Sequence, residues 1–337
     1  MVKVVEDVGL TFDDVLLVPR FSEFGSRFNG EISLDTEILP GLKLQYPLVS
    51  ANMDTVTTGP VAQAMERLGG LGIVHRFMSP SDQVKEFASL KYPVACIGVG
   101  REGTDRLKVI CDTMRPFAVL IDIAHGDSAE MLKQISFVKK FGFPVIAGNI
   151  ATAQAARRLW DGGADCVKVG VGPGSLCTTR VQTGCGVPQF TAIMDVASAK
   201  LDGKTIIADG GIRSSGDILK ALAVGADAVM IGQLFAGANE TPGERYRDRS
   251  GQVLKRYRGM ASKDAQESWK GFATSVEGEA TYVPYKGSIE EIFKPLIDSL
   301  LSGMSYQGAG DLAELRRNAV FRRQSVAGLR EGMPHAL

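Results

Sequence analysis

From residue 47 onward, short apolar runs rich in β-branched residues alternate with longer segments in which apolar residues recur every three or four positions. The short runs are continuously apolar, which is typical of strands buried on both faces of a parallel sheet. The longer segments are typical of helices that cover such a sheet with one apolar face. The runs end in Gly, Asn, Asp or His, which marks the turn from each strand to the next helix.

This rhythm predicts strands at Pro47–Met53, Leu71–His75, Val94–Val99, Phe117–Ile123, Pro144–Ala147, Cys166–Val171, Thr205–Ala208 and Ala228–Ile231. It predicts helices at Pro60–Leu68, Ser81–Leu90, Thr104–Met114, Ser128–Lys140, Ala153–Asp161, Ala192–Lys200 and Ser215–Val224. Eight strand-and-helix units in about 190 residues match the number and spacing of an α/β fold, the (β/α)8 or TIM barrel. A doubly wound open sheet is the alternative, but it usually has fewer strands and a GxGxxG loop after the first, which is missing here.

The segments outside this alternation of strands and helices differ in character from one another. Leu10–Pro19 is a compact apolar segment, and residues 32–44 alternate enough to predict a short hairpin. Residues 245–258 are strongly charged and predict a surface hairpin. Residues 259–281, here called the flap, are polar without periodicity and predict a mobile loop that closes over an active site, or else a plain surface loop. Further helices are predicted at Ile289–Leu301 and Asp311–Asn318, and no linker divides residues 1–337 into two domains.

Composition narrows the class of partner. The 38 basic and 38 acidic side chains cancel, which gives no electrostatic reason to expect nucleic acid or a membrane surface as partner. The 5 cysteines form no CxxC pair, so neither a disulfide framework nor a structural zinc site is expected, and His75, His125 and His335 lack ligand spacing. No signal peptide or membrane-spanning run is present, so we expect a cytoplasmic protein.

The ends of the predicted strands carry the candidate chemistry, because barrel enzymes place their active sites there. Those ends read Ser50–Asp54, His75–Arg76, Asp122–Gly126, Gly148–Asn149, Asp209–Gly211 and Gly232–Gln233. Residues 170–180, here called the cysteine loop, hold three glycines, a proline and then Cys177, a candidate nucleophile. A buried structural cysteine is the alternative. Glycine-containing turns after strands seven and eight are where barrels bind phosphate, so a phosphorylated substrate is predicted.

Six motifs then point to a family. They are Leu10–Pro19 (LTFDDVLLVP), Ser50–Val56 (SANMDTV), Gly170–Thr179 (GVGPGSLCTT), Ala208–Ile212 (ADGGI), Tyr257–Met260 (YRGM) and Val283–Gly287 (VPYKG). On these motifs the chain resembles the IMP dehydrogenases and GMP reductases over essentially its whole length. The resemblance implies that Cys177 attacks purine C2 of a nucleoside monophosphate and forms a covalent thioimidate. It also implies a homotetramer or octamer.

The resemblance implies roles for other residues as well. The substrate-binding residues it implies are Ser50, Ser175, Asp209, Gly211, Gly232, Tyr257, Gly259, Met260 and Glu277. Within this set Asp209 would hold the ribose hydroxyls, and Met260 and Glu277 would contact the base. Thr179 would assist proton transfer at C2, and Asp122, Gly170 and Gly172 would form the nicotinamide cofactor site. Potassium would be held by Gly172, Gly174, Cys177 and Glu331, the last from a neighbouring subunit.

Both activities of this family pass through the same adduct. The dehydrogenase oxidises IMP with NAD and hydrolyses the adduct to XMP, whereas the reductase expels ammonia from GMP and reduces the adduct to IMP with NADPH. Three features favour the reductase. Only one predicted helix separates strands two and three, which leaves no room for the regulatory CBS domain of dehydrogenases. The span from Met260 to Glu277 is short, and no arginine lies between Arg258 and Arg316 to form the water-activating Arg–Tyr pair of dehydrogenases.

Other features resemble the reductase less. Lys263 stands where reductases carry the flap glutamate that partners Thr179, so Asp264, or Glu267 one turn further on, is expected to protonate the leaving ammonia. Gln233 replaces the small residue usual at the phosphate, and residues 327–335 resemble the dehydrogenase tail.

We therefore expect a GMP reductase using NADPH, with a CBS-less IMP dehydrogenase using NAD as the alternative. An enzyme acting on a modified purine nucleotide and an inactive nucleotide-binding protein are further hypotheses.

Overall fold

The computed structural model of the protein describes residues 4–26 and 30–334. Its strands are β1 (Val15–Leu17), β2 (Thr36–Leu39), β3 (Leu42–Leu44), β4 (Leu48–Ser50), β5 (Leu71–Gly72), β6 (Val94–Ile97), β7 (Ala118–Asp122), β8 (Val145–Ile150), β9 (Cys166–Val169), β10 (Thr205–Asp209), β11 (Ala228–Ile231), β12 (Tyr246–Arg247), β13 (Val253–Arg258), β14 (Ala280–Pro284) and β15 (Phe321–Arg323). Its helices are α1 (Gly59–Arg67), α2 (Pro80–Phe87), α3 (Gly100–Thr113), α4 (Ala129–Lys139), α5 (Ala153–Asp161), α6 (Thr179–Thr183), α7 (Gln189–Ser198), α8 (Ser215–Ala223), α9 (Lys263–Lys270), α10 (Ile289–Tyr306), α11 (Leu312–Asn318) and α12 (Val326–Glu331).

Strands β4 to β11 form one parallel sheet in the order β5-β4-β11-β10-β9-β8-β7-β6. Strand β11 pairs with β4, so the last strand of the series returns to the first and the sheet curls into the expected (β/α)8 barrel. Helix α10 takes the eighth outer position, because it packs against both α8 and α1. Each predicted barrel strand overlaps an observed one, and α5 has the predicted bounds.

The continuous apolar runs have a direct explanation in the packing. In β7, Ala118 and Leu120 belong to a cluster inside the barrel, whereas Val119 and Ile121 belong to the layer between sheet and helices. Successive strand residues point to opposite faces, and both faces are buried, so every position is apolar. The predicted hairpin forms as β2 and β3, and its side chains Ile38 and Leu42 join the inner cluster.

Two pairings outside the barrel were not predicted. Strand β1 pairs antiparallel with β15, which joins segments from the two ends of the chain. The charged segment at residues 245–258 does form the pair β12 and β13, but β14 adds a third strand to it. Between β5 and β6 the described chain contains α2 alone, so no CBS domain is inserted there. Across residues 4–26 and 30–334 no helix is both long and apolar enough to cross a membrane.

The flap is more regular than its sequence predicts. It contains α9, whose first turn is capped by the Ser262 hydroxyl accepting from the Ala265 N–H and which ends at Gly271 with a φ of 81°. Only Ala265 and Gln266 of this helix are buried. A helix of 8 residues with two buried positions carries too short an apolar stripe to be recognised from periodicity, which explains the error.

Candidate active site

Two adjoining cavities open at the carboxyl ends of the barrel strands. The first is lined by the turns after β10 and β11 and includes Thr11, Asp13, Gly211, Arg213, Gly232 and Gln233. The second runs under the flap and includes Asn52, Arg76, Phe77, Asp122, Lys168, Cys177, Thr179, Gly259, Met260, Trp269, Lys270 and Glu277. Ser175, Asp209 and Tyr257 line both cavities, so a single ligand could extend from one into the other.

Cys177 begins a chain of hydrogen bonds that ends on a carboxylate. Its thiol donates to the Thr179 hydroxyl over 3.1 Å, and that hydroxyl donates to Glu277 Oε2 over 2.8 Å. The arrangement links a nucleophile to a proton acceptor through one hydroxyl, which is the geometry that general acid–base chemistry at the thiol requires. Glu277, expected only as a base contact, is therefore the flap carboxylate that reaches Thr179.

Backbone pairing holds Glu277 at this place. The Thr178 N–H donates to the Glu277 carbonyl over 3.0 Å, and the Glu279 N–H donates to the Leu176 carbonyl over 2.9 Å. Cys177 and Gly278 form an isolated antiparallel bridge between these two bonds. The end of the flap is thus fixed against the cysteine loop by main-chain hydrogen bonds, which position a side chain more rigidly than a surface loop would.

Asp264 lies away from this relay. Its carboxylate pairs with Arg256 and with Arg258, the latter at 2.8 Å from Nη1. Arg258 also forks onto the Asp54 carboxylate, with the closest contact at 2.5 Å. Glu267, the other expected candidate, faces Lys263 at 3.8 Å on the exposed side of α9. The structure therefore brings neither of these carboxylates to Cys177.

Arg258 joins the flap helix α9 to the loop after β4 through its ion pairs with Asp264 and Asp54, here called the Arg258 clamp. Its removal is expected to lower the free energy of unfolding. Arg258 and Asp54 are both only 12% exposed, so Arg258→Met leaves a buried carboxylate unpaired and is expected to cost about 3 kcal/mol of unfolding free energy. In Arg258→Met, hydrogen exchange of the backbone amides of α9 is also expected to become faster. The matched change Arg256→Met removes a half-exposed partner of Asp264 and is expected to cost under about 1 kcal/mol. The free energies of unfolding are measured by denaturant titration. Equal decreases in Arg258→Met and Arg256→Met would contradict a special role for the Arg258 clamp.

A buried polar network occupies the floor between the cavities. The Lys168 ammonium lies 2.8 Å from Asp122 and 2.5 Å from Asp209. Asn52 donates to Asp122 over 2.9 Å, and Asn149 donates to Asp209 over 2.8 Å. Burial alone would raise the pKa of Asp122, but the charge and hydrogen bond of Lys168 outweigh it and hold that pKa below its usual value.

The first cavity has the features of an anion site. The Ser175 hydroxyl lies 3.4 Å from the Tyr257 hydroxyl, and burial raises the pKa of Tyr257, which therefore stays a neutral donor. Gly211 has a φ of 79°, a conformation that leaves backbone N–H groups accessible in such turns. A side chain at Gly232 would come within 3.0 Å of the Tyr257 hydroxyl. Gln233 is exposed at the cavity wall.

Several expected site residues lie outside the cavity linings. Ser50 is fully buried and its hydroxyl accepts from Thr57 over 2.8 Å, so its neighbours Ala51 and Met53 line the cavities instead. Gly170 packs behind Asp209, where a Cβ atom would approach the Asp209 carbonyl to 1.9 Å. Gly172 packs against the Arg180 side chain.

The potassium ligands that the resemblance implies lie on two elements of the chain, the cysteine loop and helix α12. Gly174 lies in the cysteine loop, where its carbonyl accepts from the Cys177 N–H over 3.0 Å. Glu331 ends the exposed helix α12, which packs beside the Phe12–Asp14 turn.

The histidines do not form a metal centre in the described part of the chain. No group of three or more His, Cys, Asp or Glu side chains is close enough there to hold a metal ion. His75 is buried, and that burial lowers its pKa to about 4, so the imidazole is neutral; its Nδ1 accepts from the Phe77 N–H. His335 lies outside the described residues.

Comparison with known proteins agrees with this geometry. The sequence profile of the "IMP dehydrogenase / GMP reductase domain" matches residues 9–335. Inosine-5′-monophosphate dehydrogenase of Cryptosporidium parvum is 38% identical, covering 97% of this chain and 95% of that protein. The Bacillus subtilis enzyme of the same name is 35% identical over the same shares.

A solved structure is similar along its whole length. GMP reductase of Trypanosoma brucei in complex with guanosine 5′-monophosphate superposes with a TM-score of 0.91, at 28% identity, and 98% of each chain is covered. The profile match spans nearly the whole chain, and the barrel and the position of the cysteine loop agree with it. The protein therefore belongs to the IMP dehydrogenase / GMP reductase family of oxidoreductases that act on purine nucleotides.

Proposed function

We propose that the protein is a GMP reductase, which converts GMP to IMP and ammonia with NADPH. The observation that carries the proposal is the Cys177–Thr179–Glu277 relay, because a relay ending on a carboxylate can deliver a proton to a leaving amine. The similarity to a GMP reductase in complex with GMP supports a nucleotide in the two cavities. Asp209 would bind the ribose, and the turns at Gly211 and Gly232 would bind the 5′-phosphate.

The first half-reaction replaces the amine by sulfur. Cys177 gives up its proton through Thr179 to Glu277, and its thiolate attacks purine C2. The C2–N bond breaks, and the proton returns through Thr179 to the departing amine, which leaves as ammonia. The thiol proton thus accounts for the third hydrogen of ammonia, and a thioimidate at Cys177 remains.

The second half-reaction is a hydride transfer. NADPH, when bound, would supply the hydride that C2 receives; the C2–S bond would then break, and IMP would leave with the Cys177 thiolate restored. This chain's contribution is to hold the reacting carbon against the cofactor and to exclude water, which the flap over the second cavity is placed to do. Arg76 and Lys270 line that cavity with Asp122, so cationic side chains are available there to a nicotinamide dinucleotide, which carries phosphate groups.

IMP dehydrogenase is the second candidate, because the curated relatives at 35% and 38% identity carry that name. Its hydrolytic half needs a base to activate water. Residues 259–315 contain no arginine that could serve in the Arg–Tyr pair.

Potassium would be held by the carbonyls of Gly172, Gly174 and Cys177 with Glu331 from a second subunit of a tetramer or octamer, and oxygen donors of this kind suit that ion.

One assay separates the candidates. Purified protein is incubated with GMP and NADPH, or with IMP, NAD and potassium, while absorbance at the reduced-nicotinamide band and ammonia are followed. A reductase consumes NADPH and releases one ammonia for each cofactor oxidised. Formation of NADH from IMP with accumulation of XMP would overturn the assignment in favour of the dehydrogenase. Binding of GMP without turnover in either assay would indicate an inactive nucleotide-binding protein.

A further inference from the structure

Lys168 is the least expected residue of the barrel floor. It lies in β9 within the apolar run Cys166–Val169, and its side chain is only 3% exposed. A lysine ammonium is almost never buried to this degree unless it is paired, because removing it from water is costly. Lys168 therefore needs its two carboxylate partners, and they in turn depend on it.

Those partners belong to different subsites. Asp209 ends β10 and lines both cavities, whereas Asp122 ends β7 and lines the flap-side cavity alone. Lys168 contacts both, at 2.5 Å and 2.8 Å. Among the described residues the other hydrogen-bond donors to the two carboxylates are the neutral amides of Asn149 and Asn52. The single ammonium is thus shared between the proposed ribose ligand and the residue proposed beside the nicotinamide.

We propose that Lys168 is a positioning residue that couples the nucleotide and cofactor subsites, so that occupancy of one changes affinity at the other. A ligand that draws Asp209 toward a ribose hydroxyl changes how the ammonium divides its attraction between Asp209 and Asp122. The reverse holds when a cofactor engages Asp122, because such coupling is reciprocal. The inference rests on the proposed function only in assigning the two subsites, and it holds for either direction of the reaction.

The charges around the pair make Lys168 the residue on which this coupling depends. Arg76 is the other cation near Asp122, and Cys96 beside it is neutral because burial raises its pKa to about 12. Tyr257 faces Asp209 and is also neutral. Without Lys168, two carboxylates would share a buried floor, and burial would then favour protonation of Asp122.

The test compares Lys168→Met, which removes the charge, with Lys168→Arg, which retains it. The dissociation constant of IMP is measured without cofactor and with saturating NADPH, and so is that of NADPH with and without IMP. Each pair of dissociation constants gives one ratio, the factor by which the second ligand changes the affinity for the first. In the unmodified protein the ratio for IMP and the ratio for NADPH are expected to agree, at about fivefold or more. In Lys168→Met both ratios are expected to fall toward 1, and Lys168→Arg is expected to keep part of the coupling.

The pH profile is the second readout, because a purely structural role would not move it. In the unmodified protein the Asp122 carboxyl is ionised above its depressed pKa. In Lys168→Met that pKa rises, so kcat/KM is expected to fall as pH falls through the raised value, and the acid limb moves to higher pH. If the reductase assay is silent, the profile is taken in the IMP and NAD direction, and if neither turns over the binding ratios alone decide.

Lys200→Met is the matched control. Lys200 forms a similar pair with Asp227, at 2.7 Å, ahead of β11 at the opposite end of the barrel. Its loss is expected to lower stability while leaving the ratios and the pH profile unchanged.

A Lys168→Met protein with a lower melting temperature but unchanged ratios would reduce Lys168 to a structural role and overturn the proposal, as would ratios of 1 in the unmodified protein. If Lys168→Met does not fold, Asp122→Asn replaces it. That variant leaves Lys168 to Asp209 alone and is expected to weaken IMP binding about threefold or more without any cofactor present. Unchanged IMP binding in Asp122→Asn would count against the coupling.

Discussion

Cys177→Ala is expected to lower kcat by about 10⁴-fold or more, because losing a covalent nucleophile removes the whole two-step path rather than one contact. The side chain is small and partly exposed, so alanine leaves the loop geometry intact. Nucleotide binding should persist, since the residues proposed to bind the ribose and the phosphate are others than Cys177. The measurements are steady-state turnover and equilibrium binding of GMP on the same preparation.

Cys185→Ala supplies the matched control for that experiment. Cys185 lies 8 residues further along the chain, is exposed, and has its thiol near the Thr183 carbonyl at 3.6 Å. Its replacement is expected to leave kcat unchanged. A thioimidate should be detectable by intact-mass analysis in the unmodified protein and in Cys185→Ala, and be absent from Cys177→Ala. Normal turnover by Cys177→Ala would exclude covalent catalysis at this loop.

The barrel could be predicted because its signal is local and repeated. Strand β7 is buried on both faces, so its sequence is apolar at nearly every position, and the same physics acts on each neighbour. The cysteine loop follows from the same rule, since a thiol after a barrel strand lies at the catalytic end. The pairing of β1 with β15 had no such signal, because three residues of mixed burial carry no period.

The helix in the flap was not predicted, and the physical reason for this also explains why the sequence pointed to Asp264 and not to Glu277 as the partner of Thr179. Glu277 reaches Thr179 through backbone bonds between residues 176–178 and 277–279, which pair segments about 100 positions apart and depend on no side-chain pattern. Asp264 looked suitable by position, yet Arg256 and Arg258 on the neighbouring strand β13 neutralise it. Lys168, by contrast, was detectable. A charged residue inside a run predicted to be fully buried is a signal in its own right.

Glu277→Gln is expected to lower kcat by about 10²–10⁴-fold, the range of a lost general acid–base group. The amide keeps a hydrogen bond to Thr179 but cannot take up and return the thiol proton. The loss should fall on release of ammonia from GMP, measured in a single turnover with enzyme in excess. Asp264→Asn is the matched comparison, because it removes a carboxylate of the same flap that is already paired with two arginines.

Asp264→Asn is expected to change stability and KM through the Arg258 clamp and to leave the single-turnover rate of ammonia release within about threefold of normal, far from the range of a lost general acid. The two variants thus separate a proton-transfer role from an anchoring role on one segment. If Asp264→Asn abolishes ammonia release while Glu277→Gln retains it, the flap must rearrange in the complex. The relay through Thr179 would then belong to the ligand-free state alone. Near-normal rates of ammonia release in both variants would mean that neither carboxylate moves the proton.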